Sequence, residues 1–197
     1  MKLSIKLLLL CIALFLANPS YVRAQKKVRR IVKKHIKRQS VKKAKRINSL
    51  RYRHLPKRGK VLRKLGLGYR TIKFKGANVF IHNGVWYKPT KRDRFIVARA
   101  PIGVRINRLP RLAGSRILLG TKVYYYYYGT YYEQVDDSEE YMVVTAPIGA
   151  KIDALPEGYD TLKIKGITYY NLDDVYYQFV VNSDDDSYFI VIKNPLL

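Results

Sequence analysis

The chain has 197 residues, and its 39 Lys and Arg against 14 Asp and Glu give a formal net charge of +25. Its single cysteine, Cys11, lies in the N-terminal apolar stretch, which excludes disulfides, thiolate nucleophiles and cysteine-ligated zinc sites from the rest of the chain. Residues 1–100 hold 30 basic residues against one acid, whereas residues 101–197 hold 9 against 13. The positive charge is therefore concentrated in the first half.

The first predicted element is a secretory signal peptide over residues 1–24. Lys2 and Lys6 precede an apolar run of eleven residues, 7–17, which is shorter than the roughly 20 residues that cross a bilayer. Small side chains end this segment at Ala24, and we expect cleavage there. The sequence thus predicts export to the periplasm, the outer membrane surface or the extracellular medium.

The second predicted element is a basic arm over residues 25–64, a stretch without any acidic residue. Val28, Ile31, Val32 and Ile36 recur at three- and four-residue steps, so the arm is either disordered or an amphipathic helix with a narrow apolar stripe. The residues predicted to bind an anionic surface are Lys26, Lys27, Arg29, Arg30, Lys33, Lys34, Lys37, Arg38, Lys42 and Lys43.

An anionic envelope surface (lipid, lipopolysaccharide or peptidoglycan) is the predicted partner of the arm, because each basic residue near such a surface contributes on the order of 1 kcal/mol. Nucleic acid is an alternative, since neutralising phosphates releases counterions. Export, and the lack of a recognition-helix or RNA-binding aromatic signature, argue against it. A solvated spacer is the third interpretation.

The rest of the chain repeats itself. Ala100-Pro101-Ile102-Gly103 recurs as Ala146-Pro147-Ile148-Gly149, and Leu109-Pro110 recurs as Leu155-Pro156, both 46 residues later. Equal spacing of several landmarks indicates tandem duplication. An earlier divergent copy, which aligns Leu55-Pro56 with Leu155-Pro156, lacks the Ala-Pro-Ile-Gly start. The predicted repeats cover about 65–99, 100–145 and 146–197.

Each repeat has the pattern of β-strands. Ile72 and Phe74 alternate with polar residues, which is the period of a strand. Asn83-Gly84 lies between two apolar stretches and predicts a tight hairpin, because both residue types tolerate positive φ. We expect an all-β fold of tandem small antiparallel modules, barrel-like or sandwiched together, after the arm. Single modules of this size are marginal, so neighbours are expected to bury apolar surface against one another.

Tyrosine is unusually frequent, with 18 in the chain. Alternate residues of a strand point to opposite faces, so about half of these rings are expected in the core and half outside, where rings stack on sugars. The residues predicted to bind a glycan in this way are Trp86, Tyr87, Tyr124, Tyr126, Tyr128, Tyr131, Tyr132, Tyr176 and Tyr177. The alternative is that tyrosine simply suits a half-buried strand.

Motifs of catalysis are not found. The sequence contains no nucleophile elbow, P-loop, dinucleotide fingerprint or zinc-protease motif. The acidic clusters at 136–140 and 184–186 lack calcium-loop spacing and are expected to be solvated loops. We therefore expect no cofactor, no metal site and no catalytic residue.

The Leu-Pro pairs, the hairpins Gly84-Val85-Trp86-Tyr87 and Gly129-Thr130-Tyr131-Tyr132, and the Ala-Pro-Ile-Gly motif resemble an uncharacterised family of secreted, tyrosine-rich repeat proteins of Gram-negative bacteria. The resemblance covers roughly residues 51–197 and implies export and repeat architecture; the family has no established activity or catalytic residues to transfer. The predicted function is a non-enzymatic envelope protein, with the arm as tether and the repeats as scaffold or glycan-binding module. The alternatives are an enzyme acting on envelope polymers and an exported nucleic-acid-binding protein.

Overall fold

The computed structural model describes residues 19–110, 115–182 and 186–197. The charged start and apolar run of the predicted signal peptide lie outside these residues. The described chain contains one α-helix and three β-sheets, and it divides after Lys42 into two compact units.

The helix α1 spans Pro19–Arg51. Proline suits a first helical position, and the next proline in the chain is Pro56. Of the described helices, none combines the length and the hydropathy that a membrane crossing requires. Ala44 and Asn48, one helical turn apart, are buried in the second unit, so the C-terminal end of α1 forms part of the β body.

The β body consists of three five-stranded antiparallel sheets. Sheet 1 contains β1 Val61–Leu62, β2 Arg70–Phe74, β3 Ala77–His82, β4 Val85–Thr90 and β5 Arg94–Val97. Sheet 2 contains β6 Arg105–Ile106, β7 Ser115–Leu119, β8 Lys122–Tyr127, β9 Thr130–Gln134 and β10 Tyr141–Val144. Sheet 3 contains β11 Lys151–Ile152, β12 Asp160–Ile164, β13 Ile167–Leu172, β14 Val175–Val181 and β15 Ser187–Ile192. We call these sheets with their loops module 1 (residues 55–98), module 2 (99–144) and module 3 (145–192).

The three sheets share one topology. In each, four strands form a meander and the two-residue first strand pairs with the last, as in the order β1-β5-β4-β3-β2. The strands β2, β7 and β12 pair on one side only and are edges. Closure into a barrel requires that no edge remains. The described chain is therefore mostly β and built from antiparallel sheets, as predicted, but the expectation of barrel-like modules is wrong.

Module 1 does have its own version of the Ala-Pro-Ile-Gly start. Gly59, Gly103 and Gly149 all have positive φ, of 78°, 89° and 89°. Their amides donate to the carbonyls of Val97, Val143 and Val191, which are equivalent residues of the three modules. Pro56-Lys57-Arg58-Gly59 thus takes the place of Ala100-Pro101-Ile102-Gly103: the first copy lacks the Ala-Pro-Ile-Gly sequence, but it has the equivalent turn.

The alignment of the Leu-Pro pairs changes accordingly. Leu62 of β1 pairs with Phe95, just as Ile106 pairs with Tyr141 and Ile152 with Phe189. Three residues after these strand positions come Leu65-Gly66, Leu109-Pro110 and Leu155-Pro156. Leu65-Gly66, rather than Leu55-Pro56, is the counterpart in module 1.

Two hydrophobic clusters join the modules. The first contains Trp86 of module 1 together with Tyr132 of module 2. The second contains Tyr131 of module 2 together with Phe189 of module 3, and Ala44 of α1 belongs to it. Because adjacent residues of β9 contribute to different clusters, both faces of sheet 2 are covered by protein.

Candidate functional site

The basic part of α1 is the most strongly charged segment of the described chain. Of the ten basic residues predicted to bind an anionic surface, Lys37 and Lys43 are half-buried and the other eight are exposed. Helix α1 contains no Asp or Glu. Val28, Ile31, Val32 and Ile36 are 57%, 58%, 49% and 62% exposed. Exposed apolar and basic side chains thus alternate along this segment.

The structure places most of the predicted glycan-binding rings in the core. Those that are buried are Trp86, Tyr87, Tyr126, Tyr128, Tyr131, Tyr132 and Tyr177, whereas Tyr124 and Tyr176 are half-buried. A sugar cannot stack on a ring that protein encloses on both faces. Only Tyr124 and Tyr176 of the nine are left to form the predicted stacking surface.

The buried rings form equivalent links between the modules. The Trp86 Nε1–H donates to the Tyr132 hydroxyl at 2.9 Å, from module 1 to module 2. The Tyr131 hydroxyl donates to the Tyr177 hydroxyl at 3.4 Å, from module 2 to module 3. Burial raises the pKa of Tyr132 to about 12, against an opposing effect of the Trp86 hydrogen bond. These tyrosines are therefore neutral hydrogen-bonding core residues at ordinary pH.

Arg58 is a buried residue that the sequence analysis missed. Its side chain is 7% exposed, and its Nε lies 3.0 Å from Oδ2 of Asp173 in module 3. The guanidinium also donates to the carbonyls of Ala98 and Tyr128 and lies over the Tyr128 ring. Arg58 therefore joins all three modules. The only sequence signal was its place before Gly59, the position that Ile102 and Ile148 occupy in the other modules.

The groove between modules 2 and 3 contains the end of α1. The Leu155 amide donates to Asn48 Oδ1 at 2.8 Å. Arg51 lies 3.5 Å from the carboxylate of Asp153, and the Ser115 hydroxyl donates to that same carboxylate at 2.6 Å. Helix and modules thus form one hydrogen-bonded junction.

A cleft of about 500 Å³ lies between modules 1 and 2. It is lined by Gly68, Arg70, Ile81, Asn83, Gly84, Asn107, Arg108, Leu109, Pro110 and Glu139. A second cleft of about 400 Å³ borders Tyr176 and is lined in addition by Arg99, Asp174 and Lys193, among others. Both clefts have the size of ligand sites.

The acidic clusters have no metal-site geometry in the part of the chain that the structure describes. There, no three His, Cys, Asp or Glu side chains converge as metal ligands would. Glu140 instead pairs with Arg105 at 3.4 Å. Asp184 and Asp185 lie outside the described residues.

The comparison with protein families gives one match. The model of a Family of unknown function (DUF6515) matches residues 52–194, which cover the three modules and exclude α1. Neither the curated proteins nor the solved structures contain a match to the chain.

Proposed function

Because the chain belongs to the Family of unknown function (DUF6515), we propose its function from its own residues: it is an exported, non-enzymatic envelope protein that α1 tethers to an anionic surface. The β modules serve as the scaffold that α1 attaches to that surface. The proposal includes the earlier expectations of a cleaved signal peptide and of a secreted, tyrosine-rich repeat family of Gram-negative bacteria.

One observation carries the proposal: a helical stretch with exposed Lys and Arg, no acidic residue and four exposed aliphatic side chains. Basic residues attract anionic headgroups, and aliphatic residues gain free energy when they enter the boundary between headgroups and acyl chains. A solvated spacer needs no such aliphatic residues. We therefore place the contact surface between Lys26 and Lys42.

The test is cosedimentation of the full chain with vesicles of phosphatidylcholine alone or with phosphatidylglycerol added, over a range of salt. We expect binding only to the anionic vesicles, and weaker binding as salt rises. Replacing Lys33, Lys34, Lys37 and Arg38 by Gln removes about 1 kcal/mol each, so affinity falls at least a hundredfold.

The matched control replaces four exposed strand residues by Gln, namely Lys73, Arg94, Arg116 and Lys163. This variant has the same net charge as the helix variant, and we expect it to bind nearly as well as the unmodified chain. Equal loss in both variants would mean that net charge alone causes binding, and the tether would be rejected.

The aliphatic residues distinguish a lipid surface from other polyanions. Changing Val32 and Ile36 to Ser preserves every charge, so it should weaken binding to phosphatidylglycerol vesicles at least tenfold. Binding to lipopolysaccharide phosphates or to nucleic acid should change little. If the variant binds vesicles as well as the parent chain does, lipid insertion is wrong and a soluble or polymeric polyanion is the partner.

Glycan binding by the modules is a second candidate, and the cleft beside Tyr176 favours it. A half-buried ring at the wall of a cleft can present one face to a sugar. Peptidoglycan retained at high salt by the parent chain, lost in Tyr176→Ala and kept in Tyr169→Ala would support this role. Tyr169 is likewise half-buried in sheet 3.

A further inference from the structure

The cleft between modules 1 and 2, which no segment of the described residues occupies, is the structural counterpart of the groove that α1 fills between modules 2 and 3. The registers of the first hairpins make Ile81 equivalent to Tyr126. The registers of the short first strands make Asn107 equivalent to Asp153, and therefore Leu109 to Leu155. Both sites lie at the same place in successive module junctions.

The filled groove shows what such a site can accommodate. A helical peptide supplies Asn48 as hydrogen-bond acceptor for the Leu155 amide and Arg51 as ionic partner of Asp153. The Tyr126 ring is buried there as well, and its hydroxyl donates to the Ala154 carbonyl at 3.0 Å.

At the positions equivalent to Tyr126 and Leu155, the residues of the cleft lack the contacts that those two residues make in the filled groove. Ile81, which is 3% exposed, stands at the position of Tyr126, and its side chain is smaller than that ring. Among the described residues, the Leu109 amide donates no hydrogen bond, whereas its counterpart binds Asn48.

The charge at the cleft is reversed relative to the filled groove. Asn107 replaces the acidic Asp153, Arg108 replaces Ala154, and Arg70 stands at the position of Ser115. Within the described ranges, neither Arg70 nor Arg108 forms an ion pair, and Glu139 is the only acidic residue in the lining. The groove that receives a basic helix contains the acid Asp153, whereas the cleft presents two guanidinium groups beside the single acid Glu139.

We propose that the cleft between modules 1 and 2 is a docking groove for an acidic helical segment of a partner polypeptide. A carbonyl or carboxamide of that segment accepts from the Leu109 amide, as Asn48 does from Leu155. Carboxylates of the segment pair with Arg70 and Arg108, because guanidinium groups bind carboxylates through paired hydrogen bonds.

The probe is a synthetic fluorescent peptide with the sequence of residues 43–52 in which every Lys and Arg is replaced by Glu. It keeps the residues corresponding to Ala44, Asn48 and Tyr52, which are the ones buried or packed in the filled groove. The unmodified peptide is the control. We expect saturable binding of the acidic peptide to the full chain at physiological salt, and at least tenfold weaker binding of the control.

The variant Ile81→Tyr tests the site without altering charge, because it places in the cleft the ring that fills the other groove. We expect at least a tenfold loss of affinity. Acidic peptide captured by the exposed basic residues of α1 would be unaffected by this change, and undiminished binding to a folded Ile81→Tyr chain would overturn the proposal.

A second pair of variants applies if Ile81→Tyr does not fold. Arg70→Gln with Arg108→Gln should weaken peptide binding at least tenfold. Arg94→Gln with Arg116→Gln removes the same charge from exposed strand residues and should change it less than twofold. Equal effects of the two pairs would overturn the proposal, as would a parent chain that fails to bind the acidic peptide.

Discussion

Gly84 lies in the hairpin of module 1 at a close contact with module 2. Its φ is +75°, and a Cβ added there would overlap the Tyr127 ring and lie 2.8 Å from Cβ of Pro110. Gly76 has nearly the same backbone, with φ +78°, but open space around the position of its Cβ. Alanine substitutions at these two glycines therefore distinguish the stability lost through backbone strain from the stability lost through a steric clash between the modules.

We predict that Gly76→Ala lowers the free energy of unfolding by about 1 kcal/mol, the cost of positive φ for alanine. Gly84→Ala should cost about 2 to 4 kcal/mol, because overpacking at the Tyr127 ring adds to that strain. Urea denaturation measures both values. If the two variants lose the same stability, the close contact at Gly84 does not stabilise the junction.

The buried tyrosine hydroxyls predict a stability that falls at alkaline pH. Burial raises the pKa of Tyr132 and of Tyr170 to about 12 each, whereas tyrosine in the unfolded chain titrates near pH 10. The unfolded chain therefore releases protons above pH 10 that the folded chain retains. The contribution of these two tyrosines to the free energy of unfolding is fully present below pH 10 and is lost as the pH rises towards 12.

The measurement is the urea midpoint between pH 7 and pH 11.5. Tyr132→Phe should show a shallower decline above pH 10, because one buried ionisable group is gone. At pH 7 the same variant should be about 1 to 3 kcal/mol less stable, because the Trp86 Nε1–H loses its acceptor in the core. A decline as steep as that of the parent chain would mean that Tyr132 does not cause it.

At the scale of the elements, the C-terminal end of α1 is basic and also makes specific contacts with the β modules. Asn48 is 1% exposed, and its Oδ1 accepts the Leu155 amide. Tyr52, just beyond the helix, packs edge-on against the Tyr128 ring at a centroid distance of 5.2 Å. The last turns of α1 thus have a structural function that differs from the exposed basic surface before Lys42.

We predict that Asn48→Ala costs about 1 to 3 kcal/mol in the free energy of unfolding, because the buried Leu155 amide loses its acceptor. Ser49→Ala, at the neighbouring position, should change stability by less than about 0.5 kcal/mol, since its hydroxyl is exposed and donates to the Arg46 carbonyl within the helix. Thermal or urea unfolding measures both. Equal effects would mean that Asn48 is not a docking residue.

The sequence predicted those elements whose signals are local. The alternation at Ile72 and Phe74 corresponds to β2, and Asn83-Gly84 connects β3 to β4 with φ values of 49° and 75°. The start of module 1 escaped detection because only Gly59 of the motif is kept there. The feature that it shares with the other two modules is a pair of backbone hydrogen bonds to Val97, which fixes a glycine at position 59 but leaves the residues around it free to differ.

The burial of the tyrosine rings could not be predicted from the sequence, because it depends on packing between neighbouring modules. Alternation correctly indicates that Tyr131 and Tyr132 belong to opposite faces of β9, but a neighbour covers each face. Tyr131 reaches Tyr177 and Tyr132 reaches Trp86. A single repeat contains no signal for such packing. The cleft between modules 1 and 2 was missed for the same reason, since its lining comes from two modules.

At the scale of the whole molecule, the β body depends on contacts between modules. Sheet 2 has a core on each face, shared with module 1 on one side and with module 3 on the other. Arg58 joins all three modules through Asp173, Tyr128 and Ala98. Small modules bury too little apolar surface to be stable alone. We therefore expect the β body to unfold as one cooperative unit.

Trp86 is the only tryptophan and reports on module 1, so damage to module 3 tests this cooperativity. Val191 of module 3 is 1% exposed, and Val191→Ala should lower the free energy of unfolding by about 2 kcal/mol through the cavity it leaves. The urea midpoints of Trp86 fluorescence and far-UV circular dichroism should then fall together. Val181→Ala, in the same sheet but 42% exposed, should shift both far less. If Val191→Ala splits the dichroism transition while the Trp86 midpoint stays at the parent value, module 1 folds independently of module 3. The links through Tyr131 and Tyr177 would then transmit no stability.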